Sequence, residues 1–142
     1  MTKGLIAKVS TVIYFPCSKV WDVLINPEMI SQFMFGTQVV SDWKEGSVIF
    51  WKGTRKGKPY QDKGIVLKFE PTRKLVYSHF STHAHLPDQP ENYHILTYEL
   101  YEKGENTLIT LTQDNNLDSR DVEHSQKMWT TVLGNLKTLM HS

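Results

Sequence analysis

The sequence from Asp118 to Met140, DSRDVEHSQKMWTTVLGNLKTLM, predicts one long amphipathic helix. Its apolar side chains recur at spacings of three and four residues, which puts them on one side of the helix: Val122, Trp129, Val132, Leu133, Leu136, Leu139 and Met140. Asp118 or Ser119 is placed to cap the N-terminus, and Gly134 weakens the helix by about 1 kcal/mol relative to alanine. A stripe this broad needs a wide apolar surface, which the rest of the chain must provide.

The part of the chain before this helix is typical of β-strands. A first strand is predicted over Lys3–Phe15, followed by two short helices over Ser18–Ile25 and Glu28–Phe33. Later strands are predicted over the segments Thr37–Ser41, Ser47–Lys52, Tyr60–Phe69, Lys74–Phe80, Tyr93–Tyr101 and Asn106–Asp114. We expect a polar hairpin loop over Gly53–Pro59 and a β-bulge at Gly64. This order predicts an α+β fold, in which a curved antiparallel sheet of about six to seven strands surrounds the C-terminal helix.

Composition narrows the classes of function. The chain has 142 residues, which fits a single domain over residues 1–142, and its formal net charge of +1 gives no bias towards nucleic acid or an anionic membrane. Its one cysteine, Cys17, excludes an internal disulfide. No run reaches the ~18 apolar residues of a membrane span, and the N-terminus lacks the apolar stretch of a signal peptide. We therefore expect a soluble cytoplasmic protein with no membrane span.

Several segments resemble one protein superfamily when they are taken in order. They are VWDVLINPE at residues 20–28, GIVLKFEP at 64–71, RKLVYS at 73–78, NTLITLTQ at 106–113 and WTTVLGNLK at 129–137. Together they resemble the START-like, or SRPBCC (Bet v-like), superfamily, and within it the branch of activator of heat-shock-protein-90 ATPase homologue-like proteins. The resemblance implies a helix-grip fold, with two short helices after the first strand.

The resemblance also implies a small hydrophobic or amphipathic ligand, held in a cavity between the sheet and the C-terminal helix. From it and from the strand alternation we predict the following ligand-binding residues: Trp21, Phe33, Phe35, Phe50, Tyr77, His79, Tyr98, Leu111, Gln113, Trp129 and Leu133. The chain departs from many relatives in having Gln32–Phe35 in place of a tryptophan and Gln113 in place of a histidine. Ligand identity therefore does not carry over. Phe33–Phe35 is an apolar run before Gly36, and we expect it to form a lip over the cavity.

Two other functions on the same scaffold stay open. One is a cavity enzyme of the polyketide-cyclase or hydrolase type, for which Glu99, Asp114 and His79 are the acid–base candidates if they point inward. The alternation puts Glu99 on the polar face and His79 beside Tyr77, where we expect a buried core histidine, so no catalytic residue is assigned. The other is a co-chaperone-like interaction module, which would show a contiguous exposed apolar patch.

Metal and nucleophile chemistry is not expected. His83 and His85 fall in a loop with His94 on the next strand, and without a nearby cysteine we interpret them as surface histidines, with no metal and no cofactor. Cys17 has no neighbouring base in the sequence. The expected partner is a small apolar or amphipathic molecule; no nucleic acid is expected, a chaperone has no support in the sequence, and the protein should be a monomer or a weak dimer.

Overall fold

The computed structural model of the chain describes residues 4–82 and 85–142. It contains seven strands and three α-helices, which run in the order β1 Leu5–Ile13, α1 Cys17–Leu24, α2 Pro27–Phe33, β2 Gln38–Ser41, β3 Val48–Arg55, β4 Lys58–Glu70, β5 Lys74–His79, β6 His94–Lys103, β7 Asn106–Asn116 and α3 Ser119–His141. The strands form one antiparallel sheet with the order β1-β7-β6-β5-β4-β3-β2. The predicted α+β helix-grip arrangement is confirmed.

The C-terminal helix α3 has the cap and the buried side that the sequence predicts. Asp118 is the N-cap, and its Oδ1 accepts a hydrogen bond from the backbone N–H of Asp121 at 2.8 Å. Its buried residues are Ser125, Trp129, Val132, Leu133 and Leu136, while Val122, Leu139 and Met140 are half-buried. The helix packs against β1, β7 and α2. The helix α3 therefore covers one side of the sheet, and α1 packs against β6 and β7.

Alternation along the strands divides the sheet into two faces. The concave face, which points towards the helices, carries the buried residues of each strand: Ile49 and Trp51 of β3, Asp62, Gly64 and Val66 of β4, Leu75 and Tyr77 of β5, Leu96, Tyr98 and Leu100 of β6, and Ile109, Leu111 and Gln113 of β7. Most of them join residues of all three helices in one continuous hydrophobic cluster. The opposite, convex face is polar over most of its area, as expected of a sheet that is covered on one side only.

Two local predictions are wrong. The predicted loop Gly53–Pro59 is mostly strand, because β3 and β4 stay paired until a two-residue turn at Lys56 and Gly57, where φ is +53° and +78°. Both central residues of a type I′ turn have positive φ, so two residues suffice to reverse the chain. Gly64 is not the bulge, since the register between β4 and β5 shifts between Val66 and Lys68. A Cβ at Gly64 would lie 1.7 Å from the carbonyl oxygen of Ser78, so glycine permits a close approach of two strands.

A strip of apolar side chains lies exposed on the convex face, across β2, β3 and β4. We call it the convex strip, and it consists of Val40, Val48, Ile65 and Leu67, which are 43–53% exposed. Val48 pairs with Ile65 in the register of β3 and β4, so the strip crosses from strand to strand. Among the described residues, no helix combines the length and apolar character needed to cross a bilayer.

Candidate functional site

Polar side chains interrupt the apolar concave face along one line across β3 to β6. They are Trp51, Asp62, Tyr77, His79 and Tyr98, and we call them the concave polar row. Strand alternation brings each of them to this face, and the register sets Tyr77 opposite Val66 on β4 and Leu96 on β6. The row runs from the buried interior at Tyr98 to a side chain that is 26% exposed at His79.

Two phenols form the deep end of this row. Tyr77 is 5% exposed and Tyr98 is 3% exposed, with their ring centroids 6.2 Å apart. Each hydroxyl influences the pKa of the other, and among the described residues neither forms a hydrogen bond with any other side chain. Burial raises the pKa of Tyr98 to about 12, and burial together with the Tyr98 hydroxyl raises the pKa of Tyr77 well above its usual range. Both phenols therefore stay protonated and uncharged at neutral pH.

His79 and Asp62 form the outer end of the row. The His79 Nε2 lies 3.1 Å from Asp62 Oδ2, and Thr82 donates to Asp62 Oδ1 from its backbone N–H and from its hydroxyl, each at 3.0 Å. Burial raises the pKa of Asp62, but the hydrogen bonds from His79 and Thr82 outweigh it and hold the pKa below its usual value. Because an ionised carboxylate only accepts, Nε2 is the donor, and in the neutral imidazole Nδ1 is then the acceptor. The His79 ring also packs edge-on against Trp51, with centroids 4.8 Å apart.

Asp62 was not among the residues predicted for the site. A signal for it exists in the sequence, because Asp62 falls at the same strand parity as Gly64 and Val66, on the face that the alternation marks as buried. The acid–base candidates named beside His79 do not meet it. Glu99 accepts a hydrogen bond from the Tyr101 hydroxyl at 2.9 Å on the convex side, and Asp114 is buried, where its carbonyl accepts from His94 Nδ1 at 2.8 Å.

Gln113 belongs to a second polar group, which joins β7 to α3. Its Oε1 accepts from Trp129 Nε1 at 2.7 Å, and its Nε2 donates to Asn116 Oδ1 and to Ser125 Oγ at 3.3 and 3.2 Å. The Ser125 hydroxyl donates to Asn116 Oδ1 at 3.0 Å, and Asn116 Nδ2 donates to the carbonyl of Leu5 at 2.9 Å. This network satisfies the buried amide and the indole with protein partners alone.

The remaining predicted ligand residues fall into three places. Trp21, Phe33, Leu111 and Leu133 are part of the hydrophobic cluster, with Trp21 packed edge-on against Phe69. Phe50 alternates with the concave residues of β3 and is half-buried on the convex face. Phe35 is 65% exposed at the end of α2, with a φ of +56° before Gly36 at +79°. Thus Tyr77, His79 and Tyr98 come together in the concave polar row, while Phe50 and Phe35 lie apart from it.

Trp43 is the residue that neither composition nor alternation identifies. It lies between β2 and β3 with a φ of +54°, a region that bulky side chains rarely adopt. Its ring packs against the hydrophobic cluster. Its Nε1 is buried and has no hydrogen-bond partner, and no other buried side-chain N or O among the described residues lacks one. A buried donor without a partner costs about 1–3 kcal/mol, so the fold retains a local cost here.

Backbone hydrogen bonds tie the segment that carries Trp43 to the strand beside the phenols. The N–H of Gly46 donates to the carbonyl of Val66 at 2.8 Å, and the N–H of Val66 donates to the carbonyl of Ser47 at 2.9 Å. Val66 is the register partner of Tyr77. The segment that carries Trp43 is therefore joined through Val66 to the strand that carries Tyr77.

Two clefts in the described residues lie away from the concave polar row. One of about 600 Å³ is bordered by Gln38, Lys52 and Tyr60, and one of about 690 Å³ is bordered by Asp22 and Pro27. No three His, Cys, Asp or Glu side chains converge as metal ligands within residues 4–82 and 85–142, and His83 lies outside them.

Comparisons with known proteins show the family of the chain, and solved structures share its fold. The family model described as "Activator of Hsp90 ATPase homolog 1-like protein" matches residues 14–141. A protein of Cytophaga hutchinsonii with a solution structure is 50% identical, with a TM-score of 0.87, over 99% of this chain and 96% of that one. The Aha1 dimer from Colwellia psychrerythraea has 18% identity and a TM-score of 0.73, over 94% of this chain and 93% of that one. DynU16, a protein in the dynemicin biosynthetic locus, has 16% identity and a TM-score of 0.79, over 96% of this chain and 47% of that one. Among curated proteins, no sequence matches.

Proposed function

The chain belongs to the family of Activator of Hsp90 ATPase homolog 1-like proteins, and on that premise we propose that it binds a small, largely apolar molecule between the concave face of its sheet and α3. The observation that carries this proposal is the pair of phenols, Tyr77 and Tyr98. Buried tyrosine hydroxyls usually find a partner in the backbone or in another side chain. Here the two have only each other, inside an apolar cluster. A ligand with one polar group and an apolar body would match this arrangement.

The interior must open for this ligand to enter. The first candidate for opening is the segment that carries Trp43, because this residue has an unpartnered buried donor and an unfavourable φ. The Phe35 lip is the second candidate, because its side chain is 65% exposed and its backbone is also in the left-handed region. Ligand binding offsets such costs when it replaces poor contacts with better ones.

The test is a titration with Nile red, an uncharged dye with a carbonyl acceptor, followed by fluorescence and by a proton–nitrogen correlation spectrum. We expect dye fluorescence to rise and the amide signals around Tyr77 and Tyr98 to move. Tyr98→Phe removes one buried hydroxyl and should weaken binding, whereas Tyr101→Phe, which removes an exposed hydroxyl from the same strand, should not. Signal changes confined to the convex face would contradict the proposal.

A second candidate function is general acid–base catalysis on the bound molecule. It is favoured by the pair His79 and Asp62, in which the carboxylate fixes the imidazole tautomer and leaves Nδ1 free to accept a proton. A His–carboxylate pair beside a ligand space is suited to activating water for hydrolysis. The test is hydrolysis of a p-nitrophenyl ester, where His79→Gln should abolish any turnover and His124→Gln, an exposed histidine on α3, should retain it. Equal rates for the two variants would rule this function out.

We also propose that the protein forms a weak dimer through its convex strip. The Colwellia relative is described as a dimer, and the strip of Val40, Val48, Ile65 and Leu67 lies beside β2, which is an edge strand of the sheet. A small apolar face next to a free edge suits weak association. Light scattering at increasing concentration should show a rising mass that Ile65→Lys abolishes. A monomer at all concentrations would contradict it.

A further inference from the structure

We propose that the indole N–H of Trp43 donates a hydrogen bond to the bound molecule, and that this molecule is uncharged and carries an acceptor oxygen, such as a carbonyl. The inference rests on the proposed ligand site and states the chemistry of its occupant. It starts from one observation: among the described residues, Trp43 Nε1 is the buried side-chain atom that has no partner. Tertiary structures seldom retain a buried donor unless something outside the chain uses it.

The position of the indole supports a role in this site. Its segment is hydrogen-bonded to Val66, and Val66 lies opposite Tyr77 across β4 and β5. The ring itself packs on the cluster that contains Tyr77 and Tyr98. The proposal places the bound molecule between the phenols and the indole, where these three donors would border it.

The charge of the surroundings sets the class of the ligand. Both phenols are protonated at neutral pH, so together with the indole they offer neutral donors. The charged group nearest to them in the concave polar row is Asp62, whose negative charge is already bonded by His79 and Thr82. An anionic ligand would meet this carboxylate without a buried cation to compensate, and a cationic group would meet the indole N–H, which donates and cannot accept. An uncharged acceptor fits both conditions.

The backbone conformation of Trp43 is a second reason to infer that its indole contacts the bound molecule. Its φ of +54° is unfavourable for a tryptophan, and such strain persists at sites where the side chain must be held in one place. The segment is braced by short hydrogen bonds: Trp43 N–H donates to Ser41 Oγ at 3.1 Å, and the Ser47 hydroxyl donates to the carbonyl of Lys44 at 2.7 Å. These bonds hold the segment in place, although the indole N–H has no hydrogen-bond acceptor there.

The first experiment measures Nile red binding to the unaltered protein. In the unliganded protein, the indole signal of Trp43 should lie upfield of that of Trp129, whose Nε1 donates to Gln113 at 2.7 Å. Saturation with Nile red should move the Trp43 indole signal downfield, as expected when a free N–H gains an acceptor. Assignment of the two signals by single Trp→Phe variants is sufficient.

The second experiment uses Trp43→Phe, which retains an aromatic ring and removes the N–H. Because the variant loses an unpartnered donor, it should unfold at no lower denaturant concentration than the parent. Its affinity for Nile red should fall about fivefold to tenfold, which is the value of one hydrogen bond. Tyr101→Phe is the control for loss of a polar atom outside the site. Anilinonaphthalene sulfonate, an apolar anion, should bind more weakly than Nile red.

The outcomes separate the two proposals. If Nile red does not bind the parent protein, ligand binding at this site is wrong. If it binds at the phenols while the Trp43 indole signal stays in place and Trp43→Phe retains full affinity, the site stands and the role of Trp43 is wrong. If the sulfonate binds as tightly as Nile red, the inference of an uncharged ligand is wrong.

Discussion

Replacing Asp62 tests whether the hydrogen bonds at the outer end of the concave polar row stabilise the folded protein. The carboxylate is 5% exposed and accepts three hydrogen bonds, from His79 Nε2 at 3.1 Å and from the N–H and hydroxyl of Thr82 at 3.0 Å. A hydrogen bond to a charged group contributes about 1.5–3 kcal/mol. Because Thr82 is exposed and His79 is partly exposed, their donors regain water in Asp62→Ala. We therefore expect a loss of about 2–3 kcal/mol at neutral pH rather than the full sum.

Asp62→Asn retains the shape of the side chain and removes its charge. The amide oxygen can still accept from Thr82, so about 1 kcal/mol should be lost. The pH dependence gives a further criterion. The pKa of Asp62 in the folded protein lies below its value of about 3.9 in the unfolded chain, so its contribution is present above pH ~4 and is lost as pH falls through the folded pKa. The difference between the parent and Asp62→Asn should consequently shrink as the pH is lowered from about 5 to about 2.

The assay is chemical denaturation at several pH values, followed by tryptophan fluorescence. In a thermal scan, the alanine variant should melt about 8–12 °C lower than the parent for a domain of this size. Asp88→Ala is the control, because Asp88 also pairs with a cation, Lys63, but on the exposed surface, where such pairs contribute little. A loss below about 0.5 kcal/mol for Asp62→Ala, or a difference that does not shrink in acid, would refute the reasoning.

Three further predictions follow from single side chains. Gly64→Ala should lower the free energy of unfolding by more than about 3 kcal/mol or prevent folding, because its Cβ would lie 1.7 Å from a strand carbonyl oxygen. Gly134→Ala has nothing within 4 Å of its Cβ, so it should instead stabilise α3 by about 0.5–1 kcal/mol in denaturant titrations. Gln113→Ala should destabilise the protein by about 1–3 kcal/mol in the same assay, since it leaves the buried Trp129 Nε1 without an acceptor, and an unchanged midpoint would contradict this. Tyr98 should contribute a fall in stability of about 1.4 kcal/mol per pH unit between about pH 10 and pH 12, because its pKa is about 12 in the folded protein and about 10 in the unfolded chain. Tyr77, whose pKa is also raised, adds to this fall. Tyr98→Phe should therefore make the slope less steep without abolishing it, and an unchanged slope would show that Tyr98 is not one of its sources.

The elements that carry a long regular pattern are predictable from the sequence. The helix at Ser119–His141 follows from its apolar spacing and its Asp118 cap. Strand alternation likewise assigns Tyr77 and Tyr98 to the concave face, since Tyr98 has Leu96 and Leu100 at the same parity and Tyr77 has Leu75. Phe50 shows the limit of this reasoning, because both parities of β3 are apolar and the pattern alone does not say which one is covered.

The residues that depend on tertiary contacts are not predictable in this way. The role of Asp62 depends on its hydrogen bond with His79, which comes 17 residues later on the next strand. Trp43 lies between the predicted strands Thr37–Ser41 and Ser47–Lys52, and no local pattern indicates that its indole N–H is buried without a partner. Gln113 is predicted beside a ligand, whereas its amide is satisfied by Ser125, Asn116 and Trp129. Each of these depends on which strand or helix packs where.

The central claim is that a small molecule binds against Tyr77 and Tyr98, and the most direct test is an NMR structure of the complex with Nile red. Intermolecular nuclear Overhauser effects report proton pairs in contact, so they locate the dye without mutation. The account predicts contacts from the dye to the ring protons of Tyr77, Tyr98 and Trp43. Contacts confined to Val48 and Ile65 on the convex strip would contradict it.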